Sequence, residues 1–73
     1  MITFDAERGI LVGGVDPGLL KAWEQCYPLI DLANEQRKAQ LWLVMNPRKR
    51  KKNYERFLTN WFARAQQWAE ERR

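Results

Sequence analysis

The chain has 73 residues and a formal net charge of +4, so it is long enough for one small domain, residues 1–73, with a thin core. Hydrophobic residues at 45% and aromatic residues at 12% exclude an intrinsically disordered chain. A single cysteine excludes an internal disulfide, and no run approaches the ~18 consecutive apolar residues of a membrane span.

Two short β-prone runs begin the chain, at residues 2–4 and 10–12, with a turn-forming Gly9 between them. They predict a β-hairpin within residues 1–14. Two strands alone are marginally stable in water, so we expect the hairpin to pack on helices.

The first helix is predicted over residues 16–27. Asp16 is a typical N-cap and Pro17 fits the first turn, while Pro28 prevents continuation. The apolar residues recur at helical spacing and are expected to face the core. They are Leu19, Leu20, Trp23 and Tyr27.

A second helix is predicted over residues 31–46, with Asp31 as its cap and Pro47 at its end. Its later half, residues 41–45, is apolar on nearly all sides. That breadth predicts burial against more than one neighbour, which would make this the central helix of three.

The third helix, residues 53–70, has the clearest amphipathic pattern. Its apolar positions predict an aromatic core face made of Tyr54, Phe57, Leu58, Trp61, Phe62, Ala65 and Trp68. The opposite face is polar and contains Arg56, Asn60, Arg64 and Gln67. Together the elements predict a mainly α, compact three-helix domain with a short N-terminal β-hairpin packed on it.

Basic residues are concentrated between the second and third helices. Residues 1–47 contain four basic and six acidic side chains, whereas residues 48–73 contain nine basic and three acidic ones. Five of the nine are consecutive in the basic loop, residues 47–52, as Arg48, Lys49, Arg50, Lys51 and Lys52. This asymmetry favours a polyanionic partner for the carboxyl-terminal part.

The position of the basic loop favours phosphate binding over mere solubility. A solvated loop is the alternative, but cations ahead of a helix start oppose the macrodipole, typically at ~0.3–1 kcal/mol each. Backbone amides at the helix start and nearby cations would instead converge on a phosphate. We therefore expect nucleic-acid binding along the backbone, with little sequence specificity.

Several other activities are not expected. The chain has no histidine and no glycine-rich phosphate loop, so it should not be an enzyme and should bind no metal, cofactor or small-molecule substrate. The single Cys26 and the absence of a signal-peptide pattern predict a cytoplasmic protein without a membrane partner.

One segment resembles a known family. The residues are WLVMNPRKRKKNY at 42–54, followed by Arg56-Phe57-Leu58, Asn60-Trp61-Phe62 and Arg64-Ala65. They resemble the small carboxyl-terminal DNA-binding domain of bacteriophage and prophage replication-initiation proteins, of the replisome-organiser and primosomal kind. Residues 2–5 and the segment containing Trp23, Tyr27-Pro28 and Asp31 extend the resemblance over most of the chain. Those proteins usually have a larger amino-terminal part that is missing here, so we expect this sequence to be either a domain of a longer protein or a free-standing small protein with a changed role.

This resemblance implies a DNA-binding module that acts in the cytoplasm of a bacterial host and helps to bring the replicative helicase onto DNA, single- or double-stranded. The contact residues that it implies are Lys49, Arg50, Lys51, Lys52, Asn53, Tyr54, Arg56, Asn60 and Arg64. The alternative is a protein-interaction module, in which the same cations dock an acidic surface of a helicase or its loader.

Overall fold

The computed structural model describes residues 2–49 and 51–72 and contains a two-stranded antiparallel hairpin followed by three helices. The elements are β1 (Thr3–Asp5), β2 (Ile10–Val12), α1 (Pro17–Cys26), α2 (Leu32–Met45) and α3 (Tyr54–Glu71). The predicted fold class, a mainly helical domain with an N-terminal hairpin, is confirmed.

Each helix begins at a side-chain cap, which satisfies one of the backbone amides that a helix start leaves without an intrahelical acceptor. The capping carboxylates and amide oxygen belong to Asp16, Asp31 and Asn53, which accept from the N–H groups of Leu19, Asn34 and Arg56 at 3.2, 3.3 and 3.0 Å. These local signals set where the three helices start, so the loop between α2 and α3 has a defined end.

The hairpin lies against α2 and α3. Gly9 makes its turn with φ at +68°, a conformation that glycine adopts without steric cost. The Leu11 N–H donates to Gln40 Oε1 at 2.9 Å, and the Ile2 N–H donates to Glu55 Oε1 at 3.2 Å. The Phe4 ring lies 6.5 Å from that of Tyr54. As predicted, the hairpin is packed on the helices.

The core is built from one stripe of each helix and the start of the chain. Its buried members are Ile2, Trp23, Ala39, Leu58 and Phe62. Trp23 packs edge-on against Phe62 at 5.1 Å between centroids, and its Nε1 donates to Thr59 Oγ1 at 2.8 Å. This pairing joins α1 to α3.

Two single-residue expectations about burial are wrong, because the side chains point away from the packed stripes. Leu20 is exposed, since Leu19, Trp23 and Tyr27 face the core and Leu20 is rotated by about 100° from Leu19. Trp68 is 60% exposed. It lies about 120° around α3 from Phe62.

The later half of α2 contacts more than one neighbour, as expected, but it is not buried on all sides. Leu43 is buried, but Leu41, Val44 and Met45 are 58%, 48% and 71% exposed. One face of α2 packs on α3 and the hairpin, and no further described element covers the opposite face. Within residues 2–49 and 51–72, no helix combines the length and apolar content needed to cross a membrane.

Candidate nucleic-acid interface

The basic loop connects the end of α2 to the start of α3. Its chain turns immediately after the helix, where the Lys49 N–H donates to Asn46 O at 3.0 Å. Arg48, Lys49 and Lys52 have exposed side chains, whereas the predicted contact residue Arg50 lies outside the described residues. The loop therefore presents at least three cations to solvent.

Lys51 is placed differently from its neighbours. Its side chain is half-buried, with Nζ 5.1 Å from the centroid of Trp42 and 5.4 Å from that of Phe57. A cation over aromatic faces is attracted by their negative π-surface. Because Trp42 belongs to α2 and Phe57 to α3, Lys51 fastens the loop to both helices.

The start of α3 is held by three hydrogen bonds. Asn53 caps the helix through its side-chain oxygen, and the Phe57 N–H donates to the Asn53 backbone oxygen at 3.1 Å. Glu55 accepts the Ile2 N–H. The predicted contact residue Asn53 therefore uses its side-chain oxygen for the cap, and Glu55 is oriented towards the hairpin.

The remaining predicted contact residues follow α3 away from the loop. Arg56, Asn60 and Arg64 are exposed and recur every four residues. Tyr54 is half-buried, with its ring 6.5 Å from Phe4 and 6.4 Å from Phe57. An exposed polar stripe on α3 therefore follows the basic loop along the chain and begins at Arg56.

Acidic groups do little to neutralise this surface. The ion pairs among residues 2–49 and 51–72 join Arg8 to Asp5 at 3.8 Å and Lys38 to Glu35 at 3.0 Å. Neither includes a cation of the basic loop or of α3. The sequence from residue 36 to residue 54 contains seven basic side chains and no aspartate or glutamate. The positive potential of the loop is therefore not balanced locally.

A groove of about 580 Å³ lies between α2, α3 and the connection from α1 to α2. Three tryptophans line it, namely Trp42, Trp61 and Trp68. The sequence pattern assigned all three to the core, but Trp42 and Trp61 are half-buried. Trp61 Nε1 donates to Glu35 Oε1 at 3.2 Å.

Arg64 also lines this groove, so it lies towards α2 and not only on the outer face with Arg56. The sequence contains one signal for this groove, because Arg64 and Trp68 are four residues apart and therefore share one face of α3. It could not be recognised without the position of α2.

No three His, Cys, Asp or Glu side chains among the described residues are grouped so that they could hold a metal ion. Comparisons with protein families, curated proteins and solved structures found no match to this chain. The candidate interface is therefore defined by its own geometry and charge.

Proposed function

We propose that this chain binds nucleic acid, with DNA as the expected ligand, through the basic loop and the exposed face of α3. The supporting observation is the uncompensated charge of the basic loop, because residues 48–52 are five consecutive cations and the sequence from residue 36 to residue 54 contains no aspartate or glutamate. Phosphate groups neutralise such a cluster and release their counterions, which is the main source of sequence-independent affinity.

The side chains at the proposed interface have two roles. Arg48, Lys49, Lys52 and Arg56 are exposed and can reach phosphate oxygens. Lys51 is a positioning residue, since its ammonium lies over Trp42 and Phe57 and holds the loop beside α3. Contacts of the exposed cations with phosphate oxygens fix the protein on the nucleic-acid backbone and read few bases, so binding should depend weakly on sequence.

The biological role that we propose is that of a DNA-binding module in phage-type replication initiation. Its support is the resemblance of residues 42–65 to the carboxyl-terminal domains of such proteins. A replicative helicase or its loader would then be the protein partner, and the cytoplasm of a bacterial host the place of action.

The salt dependence of oligonucleotide binding tests the proposal. Fluorescently labelled single-stranded and duplex DNA of equal length should bind the isolated chain. The logarithm of affinity should fall linearly with the logarithm of salt, by ~0.7 per phosphate contact on single strands and ~0.9 on duplex. Lys52→Gln and Arg56→Gln should each reduce that slope by about one contact.

Lys21→Gln is the matched control, because Lys21 is an exposed cation on α1, away from the loop in sequence. It should leave the slope unchanged. Equal effects of Lys21→Gln and Lys52→Gln would show that net charge alone drives binding. A chain that binds neither oligonucleotide at moderate salt would instead favour docking of the same cations on an acidic protein.

A further inference from the structure

The exposed apolar side chains of the described residues are unevenly distributed. Leu29 and Trp68 line the groove between α2 and α3, and Leu20 stands alone on α1. The other three, Leu41, Val44 and Met45, are adjacent on the outer face of α2, and we refer to them as the α2 ridge. Contiguous apolar groups on a protein surface often mark an interaction site.

The spacing of the α2 ridge suits a helical partner. Leu41, Val44 and Met45 stand at positions i, i+3 and i+4, which form a row along one side of a helix. Such rows pack into the grooves of a second helix. A helix that docks in this way uses apolar anchors at the same spacing.

The charges around the α2 ridge favour a partner of opposite sign. Arg37 lies one turn before Leu41, and Arg48 and Lys49 follow the end of α2, all of them exposed. Lys38 is already paired with Glu35. The ridge therefore has exposed cations beyond both of its ends.

The hairpin turn borders the ridge where Gly9 meets Val44. Its carboxylates belong to Asp5 and Glu7, and Asp5 Oδ1 accepts from the N–H groups of Glu7 and Arg8. Asp5 also pairs with the Arg8 side chain, so Glu7 is the acidic group left at this edge. One exposed glutamate does not reverse the charge of the surroundings.

We propose that the α2 ridge binds an amphipathic helix of a partner protein, whose apolar side chains contact Leu41, Val44 and Met45 and whose acidic side chains face Arg37, Arg48 and Lys49. A second copy of this chain fits less well. In a two-fold contact, the cations beyond one ridge would meet those beyond the other. The ridge has Arg48 and Lys49 in common with the proposed nucleic-acid interface, but its apolar residues on α2 lie outside that interface, so this inference does not depend on nucleic-acid binding.

An NMR titration of the full chain, labelled with ¹⁵N, tests this proposal. The probe is a synthetic helical peptide with leucines at i, i+3, i+4 and i+7 and glutamates elsewhere, beside a version with lysines in place of the glutamates. The glutamate peptide should shift the amide signals of residues 37–49, and the lysine peptide should not. The double variant Leu41→Gln, Met45→Gln should weaken binding about tenfold or more.

Leu20→Gln is the matched control, since it removes an exposed leucine from α1. It should leave peptide affinity unchanged. The variant Lys52→Gln, Arg56→Gln should bind the peptide normally while losing oligonucleotide affinity, which separates this proposal from the proposed function.

Five results would overturn the inference. The glutamate peptide could fail to bind, or both peptides could bind equally. Its shifts could centre on Lys52 and Arg56, which would indicate attraction by charge alone. Finally, sedimentation could show a dimer, or flotation could show binding to phosphatidylserine vesicles, that the double variant abolishes.

Discussion

The third helix and the last turns of α2 are both rich in apolar residues, yet they pack differently. In α3 the apolar residues alternate with polar ones at helical spacing, and Leu58 and Phe62 are both 1% exposed. In α2 five consecutive apolar residues cover every side of the helix, and Leu43 is buried while Met45 is not. Amphipathic spacing predicts burial, whereas continuous apolarity does so only if enough neighbours exist.

The largest effect that we expect comes from Phe62, which is one of the most deeply buried side chains of α3. Its ring contacts Trp23 and Tyr27 at 5.1 and 6.3 Å between centroids. Phe62→Ala should lower the free energy of unfolding by ~3–5 kcal/mol, which a domain of this size cannot easily withstand. Thermal unfolding followed by circular dichroism measures the loss.

Trp68→Ala is the control on the same helix. Its ring is 60% exposed, so the loss should stay below ~1 kcal/mol. If Trp68→Ala destabilised the protein more than Phe62→Ala, the assignment of the buried stripe on α3 would be wrong.

A smaller loss is expected at Gln66, the polar member of the buried stripe of α3. Its Oε1 accepts the Leu29 N–H at 3.0 Å, and its Nε2 donates to Glu70 Oε1 at 3.3 Å. Gln66→Leu should lower the free energy of unfolding by ~1–3 kcal/mol, because the Leu29 amide loses its acceptor. Urea denaturation should show this decrease.

Gln67→Leu makes the same chemical change at an exposed neighbour and should have little effect. Equal stability of Gln66→Leu and the parent chain would show that water replaces the glutamine as the acceptor for Leu29.

Local signals in the sequence were sufficient for the elements of the fold. Asp16 and Asp31 were predicted as caps and act as caps, and Pro47 follows the end of α2. Burial could not be predicted as well, because it depends on which faces meet in space. The exposure of Leu20 and Trp68 follows from the orientation of α1 and α3 in the fold. The periodicity of apolar residues within one helix does not predict that orientation.

The candidate site could likewise be predicted from the sequence only in part. A run of five cations is visible in the sequence, and the exposure of Arg48, Lys49 and Lys52 agrees with a surface role. The position of Lys51 could not be predicted, because it depends on the Trp42 ring of α2 and the Phe57 ring of α3, whose centroids lie 5.8 Å apart. Long-range contacts of this kind leave no local pattern.

Lys51 joins the two compared helices, and its removal should have a modest effect on stability. Lys51→Gln should lower the free energy of unfolding by ~0.5–1 kcal/mol through loss of the cation–π contacts. Lys52→Gln is exposed and should change it by less than ~0.5 kcal/mol. Chemical denaturation of both variants provides the comparison.

DNA binding should show the opposite order, with Lys52→Gln reducing the salt slope and Lys51→Gln leaving it nearly unchanged. Equal reductions of the slope would mean that Lys51 leaves the aromatic rings and contacts phosphate. Its positioning role would then be excluded.

The smallest effect is predicted on the α2 ridge. Met45→Gln should change the free energy of unfolding by less than ~0.5 kcal/mol, because the side chain is 71% exposed. Leu43→Ala, two residues earlier and 2% exposed, should cost ~2–5 kcal/mol. A loss above ~1 kcal/mol for Met45→Gln would show that the ridge is covered in solution. If that loss grew with protein concentration, the cover would be a second copy of the chain, since only association makes stability depend on concentration.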